Sequence, residues 1–146
     1  MTDSQSKISA DEFKQRLEVL CLRKSEGGYP TRRRDQQILL KSVVMTLDEA
    51  KDYTEAEINA RLESWLTSVG RKLQTDHVTL RRCLVDEGYL TRDPAGKAYR
   101  LRANVAAEQF EAEVNSIDCV LVIDEAIARR EEKKRQYLSQ KDKPQT

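Results

Sequence analysis

Thr75, Thr79 and Arg82 recur at intervals of four and three residues, and Arg92, Lys97, Arg100 and Arg102 follow close behind. An arginine can donate two parallel hydrogen bonds to a guanine edge, and a threonine can contact a phosphate or the thymine methyl. Each lysine or arginine set on a phosphate also releases about one counterion. The chemistry on offer is therefore the gripping and reading of nucleic acid. Two plainer readings compete with it. Asp86 lies four residues beyond Arg82, the spacing of an ion pair across one helical turn. The cations of 90–102 would equally suit a charged edge strand that discourages aggregation.

Other chemistries find few residues. His77 is the single histidine, and it falls on the inner side of its expected helix, where a core or capping role suits it better than acid–base work. No glycine-rich phosphate loop, paired acidic metal motif or activated serine is present, so neither a catalytic residue nor a cofactor is expected. Cys21, Cys83 and Cys119 are an odd, scattered set without CxxC spacing. That pattern indicates neither zinc nor a disulfide framework but reduced, buried thiols in a cytoplasmic protein. "MTDSQSK" has no apolar signal region, and the longest apolar run, "CVLVI", is far short of the ~20 residues of a membrane span.

Charge is unevenly spread. The net value over 146 residues is only +1, but residues 71–102 carry eight Lys/Arg against four Asp/Glu, a local +4. Residues 103–146 carry seven against nine, a local −2. A charged fraction of 35% exceeds the usual ~25%, the mark of long solvated helices. Arg32, Arg33 and Arg34 stand at a helix start, where the macrodipole disfavours cations, and so suggest an anionic partner there.

The elements that must position these groups follow from periodicity and caps. Ser9 and Glu12 form a capping-box pattern ahead of Phe13, Leu17, Leu20 and Cys21, predicting a helix over 10–22. "SEGGYP" (25–30) is a linker, a second helix spans 32–47, and "DEAKD" (48–52) is a polar connection. Thr54 and Glu57 open a third helix whose stripe is Ile58, Leu62, Trp65, Leu66 and Val69, with Gly70 as its stop. A fourth helix starts at Thr75 or Asp76, either of which can cap, and ends at Gly88. At 100° per residue it turns His77, Leu80, Arg81 and Leu84 to one side and Thr75, Thr79, Arg82 and Asp86 to the other, with Val78 and Val85 on the flank. Arg81 then lies at the core edge within reach of Glu55 or Glu57. "YLTR" and "KAYRLR" are extended runs joined by "DPAG", whose proline presets φ and whose glycine tolerates φ > 0, so a β-hairpin follows.

Three helices and a hairpin joined by short turns make the winged helix-turn-helix plan. The expected fold is mainly α with a small β-hairpin, flanked by an N-terminal helix (1–29 with its linker) and a long C-terminal helical extension (103–146) around a domain over 30–102. "YPTRRRDQQILL", "YTEAEINARL" and "TLRRCLVDEGYLTRDPAGKAYRL" resemble an uncharacterised bacterial family labelled domain of unknown function 2087. The likeness rests on Tyr53, Thr54, Glu55, Glu57, Asn59, Asp76, Leu80, Arg81, Arg82, Leu84, Val85, Asp86, Leu90, Arg92, Gly96 and Tyr99. It covers about residues 12–102. Members stand alone or fused to helix-turn-helix regulators, so the resemblance implies a transcription-related setting and supplies no ligand or catalytic residue.

In the extension, Phe110, Val114, Ile117 and Leu121 repeat with heptad spacing, and Val120, Ile123 and Ile127 start a second stripe. The first seam could pack on the N-terminal helix or form a coiled coil with another copy. "NSID" (115–118) could divide the helix, with Ser116 as cap. The charge-dense end frays into a disordered tail. Two functions remain: DNA binding or transcription association through the fourth helix and hairpin, or protein–protein adaptation in which the C-terminal helix docks on a larger complex.

Overall fold

The computed structural model describes residues 6–22, 28–95, 97–102 and 107–141. Residues 25–27 of the expected linker, Gly96 of the hairpin turn and the end of the expected tail (142–146) lie outside them. The order is α1 (Ala10–Leu22), α2 (Arg33–Val44), β1 (Asp52–Tyr53), α3 (Glu55–Ser68), α4 (His77–Asp86), β2 (Leu90–Arg92), β3 (Tyr99–Leu101) and α5 (Cys119–Lys141). Two 3-10 turns, Ala107–Gln109 and Ala112–Ser116, precede α5. The protein is mainly helical, with a small antiparallel sheet and a long C-terminal helix.

Local chemistry accounts for most of the boundaries. The box at α3 closes fully, with Glu57 N–H donating to Thr54 Oγ1 (3.1 Å) and Thr54 N–H donating to Glu57 Oε1 (2.9 Å). At α1 only half of it forms. Glu12 N–H donates to Ser9 Oγ (3.1 Å), while the Glu12 carboxylate takes both donors of Arg34 at 2.5 and 2.7 Å. A bidentate, charge-assisted pair outcompetes a neutral backbone N–H. Helix α2 ends at Val44, three residues before the expected 47, because Thr46 and Leu47 continue as i→i+3 turns onto Val43 and Val44. Leu47 nevertheless stays buried.

One core joins these pieces. Phe13 and Leu17 of α1, Ile38, Leu39 and Val43 of α2, Ile58, Leu62 and Trp65 of α3, and Leu80 and Leu84 of α4 are all buried in it. Helix α3 stops at Ser68, two residues ahead of Gly70. Gly70 serves packing: a Cβ there would stand 2.6 Å from Cζ3 of Trp65. Gly88 serves conformation. At φ +82° it donates to Val85 O (3.0 Å), and Tyr89 N–H donates to Leu84 O (2.8 Å), a Schellman end for α4.

The hairpin carries a strand that sequence patterning passed over. β1 pairs with β3 (Asp52↔Arg100, Tyr53↔Tyr99), giving the sheet order β1-β3-β2. Part of the "polar connection" is thus a strand, too short for alternation to reveal it.

The heptad seam is corrected. Phe110 is extended, in a parallel bridge with Ile8, and its ring meets Phe13 edge-on at 6.2 Å. Val114 lies in a 3-10 turn and is fully buried, and Ile117 is extended. Only Leu121 belongs to α5, where it is 52% exposed. Phe110 and Val114 are spent in the chain's own core, since Ile8 draws the backbone of 109 and 111 into hydrogen bonds of 2.7 and 2.9 Å. Asp118, rather than Ser116, caps α5 through Leu121 N–H (3.2 Å). The buried face of α5 is Cys119, Ile123 and Ala126, with Ile127 beside it, packed largely on α1.

Candidate nucleic-acid interface

Helix α4 is seated by Leu80 and Leu84 and started by Asp76, whose Oδ1 accepts from Thr79 N–H at 2.8 Å. That backbone donor is the main reason the Asp76 carboxyl lies below its ordinary range. Thr75 is not on the helix. It sits half-buried in the preceding turn, and its N–H donates to Leu73 O, so it does not join the outward face. His77 ties the helix start to α3, its Nδ1 standing 3.2 Å from Glu63 Oε1.

Thr79, Arg82 and Asp86 are exposed, and Val78 beside them is 41% exposed. No segment among the described residues covers this face. The Arg82–Asp86 ion pair does not form, and among the described residues the Arg82 side chain makes no hydrogen bond or ion pair. Arg81 is held inward by Asn59 Oδ1 and by Glu55 at 3.9 Å.

The hairpin lies alongside. A groove of about 220 Å³ runs between it and α4, bordered by Val78, Arg82, Asp86, Arg92 and Tyr99. The guanidinium groups of Arg81 and Arg92 both approach the Tyr99 ring, each 5.8 Å from its centre. Arg92 is therefore braced by an aromatic ring instead of a carboxylate, and its charge stays available. Arg100 is placed differently: it pairs with its cross-strand partner Asp52 at 2.6 Å. Lys97 and Arg102 are exposed, with no ion pair among the described residues. The structure thus brings together Thr79, Arg82 and Arg92. Lys97 and Arg102 sit on the same hairpin arm, Arg100 is partly neutralised, and Thr75, Phe110 and Val114 lie elsewhere.

The anionic partner suggested by Arg32–Arg34 is, for two of the three, the chain itself. Arg33 meets Glu87 at 2.5 Å and Arg34 meets Glu12. Sequence reasoning missed the Arg81–Tyr99–Arg92 cluster, because Arg92 meets Tyr99 through the strand register and Arg81 reaches the same ring only from the neighbouring α4. It also set Val78 on a flank, although that side chain opens into the groove.

No thiol is activated. Burial pushes Cys21 and Cys119 up to about 12, and burial also raises Cys83. Among the described residues no cluster of three His, Cys, Asp or Glu could hold a metal ion, and no helix is long and apolar enough to cross a membrane.

A family model described as "Uncharacterized protein conserved in bacteria (DUF2087)" matches residues 27–101, which takes in all three quoted motifs and begins later than the expected limit of about residue 12. No curated protein and no solved structure matches the chain.

Proposed function

Since the chain belongs to the uncharacterised bacterial family DUF2087, whose description assigns no activity, we propose from its geometry that it is a non-enzymatic, transcription-associated DNA-binding module. The element order α2-β1-α3-α4-β2-β3 supports reading residues 30–102 as a winged helix with α4 as the recognition helix. In this reading α4 enters the major groove, Arg82 reads a guanine edge, and Thr79 touches a phosphate or a thymine methyl. Arg92, Lys97 and Arg102 on the hairpin hold the backbone, with Arg100 a weaker contributor. The setting is cytoplasmic, where the three thiols stay reduced.

One observation carries the proposal: an uncovered helix face with an unpaired arginine stands beside a cationic hairpin, in a protein whose net charge is only +1. The test is fluorescence anisotropy of labelled duplexes across a salt series. A groove binder loses affinity steeply with salt, and absence of duplex binding even at low salt would sink the reading.

A second reading is supported by α5. Its distal half lies wholly exposed and carries Tyr137 (64%) and Leu138 (47%) into solvent. Such a helix suits an adaptor that docks on a larger complex, or a homodimer in which Ile117 and Leu121 assist and two copies of α4 meet successive half-sites. Stoichiometric co-purification that survives nuclease, with no nucleic acid retained, would favour the adaptor.

A further inference from the structure

A cleft of about 560 Å³ opens on another part of the molecule, between the C-terminal end of α2, the end of β3 and the 107–120 segment that leads into α5. Its size falls within the ~300–1,000 Å³ of small-molecule sites. Its apolar lining includes Val44, Leu101, Phe110 and Ile117, and two cations border it, Lys41 and Arg102. We propose that this cleft binds a small organic monoanion with an apolar body, a short-chain or aryl carboxylate, its charge held by Lys41 and Arg102.

Lys41 carries the argument. Its ammonium has three donors, and among the described residues only Asn115 Oδ1 accepts, at 2.8 Å. The Phe110 ring lies 5.6 Å away, and no carboxylate of the described residues comes within ion-pair distance. The side chain is half-buried, and that burial pulls its pKa below the ordinary lysine value. A half-buried cation whose ammonium feels only the exposed Glu49 at longer range, and which forms no ion pair among the described residues, faces a ligand-sized space where an incoming anion would satisfy its charge. Arg102 likewise has no ion pair among the described residues.

Two carboxylates also border the cleft, and each has a reason not to repel the ligand decisively. Asp118 is committed to the first turn of α5 through Leu121 N–H, and Glu49 is solvent-exposed. Ten of the lining residues belong to the family-matched 27–101 and eight lie beyond it, so the ligand would bridge the two. The proposal shares Arg102 with the DNA reading but rests on Lys41 and the cleft, and its titration contains no DNA, so either can fail without the other.

Titration of the full-length, isotope-labelled chain with hexanoate and benzoate, followed by amide NMR, tests it. Hexylammonium and hexanol serve as charge-reversed and neutral controls. The expected result is saturable shifts confined to residues around 41–47, 101–102 and 110–120, with Kd below about 5 mM. Lys41→Gln and Arg102→Gln should each weaken binding by about fivefold or more. Arg102 is exposed, so its variant keeps the test sound even if Lys41→Gln fails to fold. The proposal is overturned by an absence of saturable shifts, by equal binding of either control, or by a folded variant of either cation that binds as tightly as the parent.

Discussion

Arg16 and Asp35 face each other as two parallel hydrogen bonds, Nε to Oδ1 at 2.9 Å and Nη2 to Oδ2 at 3.0 Å. Asp35 is only 5% exposed, so α1 is fastened to α2 by a carboxylate that has left water. Losing one partner strands the other. Asp35→Ala or Arg16→Ala should cost about 2–4 kcal/mol, somewhat under the range for fully buried pairs because Arg16 keeps a third of its surface. Urea unfolding would measure it. A double Arg16→Met, Asp35→Leu variant should recover most of the loss.

Glu12 gives a pH signature. Its hydrogen bonds from Arg34 hold its pKa below the ordinary 4.5, so the folded state binds that proton less readily than the unfolded chain. The contribution is therefore complete above about pH 4.5 and is lost as pH falls through the lower folded-state value. The gap in urea midpoint between the parent and Glu12→Gln should be constant from pH 8 to 5 and shrink toward pH 3. A gap that widens on acidification would contradict the pairing.

Two glycines should fail for different reasons. Gly70→Ala drives a methyl to 2.6 Å from the Trp65 ring, an overpacking cost of about 1–3 kcal/mol, with a shift in tryptophan emission. Gly88→Ala meets no atom closer than 3.5 Å but strains a left-handed residue by about 1–2 kcal/mol, and tryptophan emission stays as it was. Thermal melts paired with fluorescence separate the two.

On the DNA reading the cations differ in rank. Arg92→Ala or Lys97→Ala should flatten the slope of log affinity against log salt by about 1 each, whereas Arg82→Ala should cost about 1–3 kcal/mol and relax base preference at one position. Arg100→Ala should do less than Arg92→Ala, because Asp52 already holds it. Conversely, Asp52→Asn should release Arg100 and steepen the slope. Equal effects of Arg100→Ala and Arg92→Ala would remove the distinction drawn from the ion pair.

Thiol chemistry offers a last check. With Cys21 and Cys119 pushed up to about 12, iodoacetamide at pH 8 should label Cys83 first in the native protein, and all three should react once the chain is unfolded. Peptide mass mapping reads the order.

Elements with strong local signals were legible in the residues. The Thr54–Glu57 box and the Ile58–Leu62–Trp65–Val69 stripe each involve atoms within a turn or a few of one another, so spacing alone predicts them, whereas it narrowed the α4 cap only to Thr75 or Asp76, and the structure uses Asp76. The outward placement of Thr79, Arg82 and Asp86 follows from the same 100° arithmetic, given that Leu80 and Leu84 must be buried. The heptad seam shows where this logic stops. Phe110 and Val114 have the spacing of a helix, but Ile8, about a hundred residues earlier, offers the backbone a competing partner.

What the chain by itself determined, then, was the run of helices, the hairpin and the side on which each helix is apolar, because periodicity, capping and turn chemistry act over a few residues. Tertiary structure alone decided which charges are spent and which remain. Arg33, Arg34 and Arg100 met carboxylates from distant segments, Arg82 and Arg92 did not, and Lys41 was left at the edge of a cleft closed by the 107–120 segment. A charge is neutralised by whatever lies within a few ångströms in space, and sequence spacing does not encode that distance.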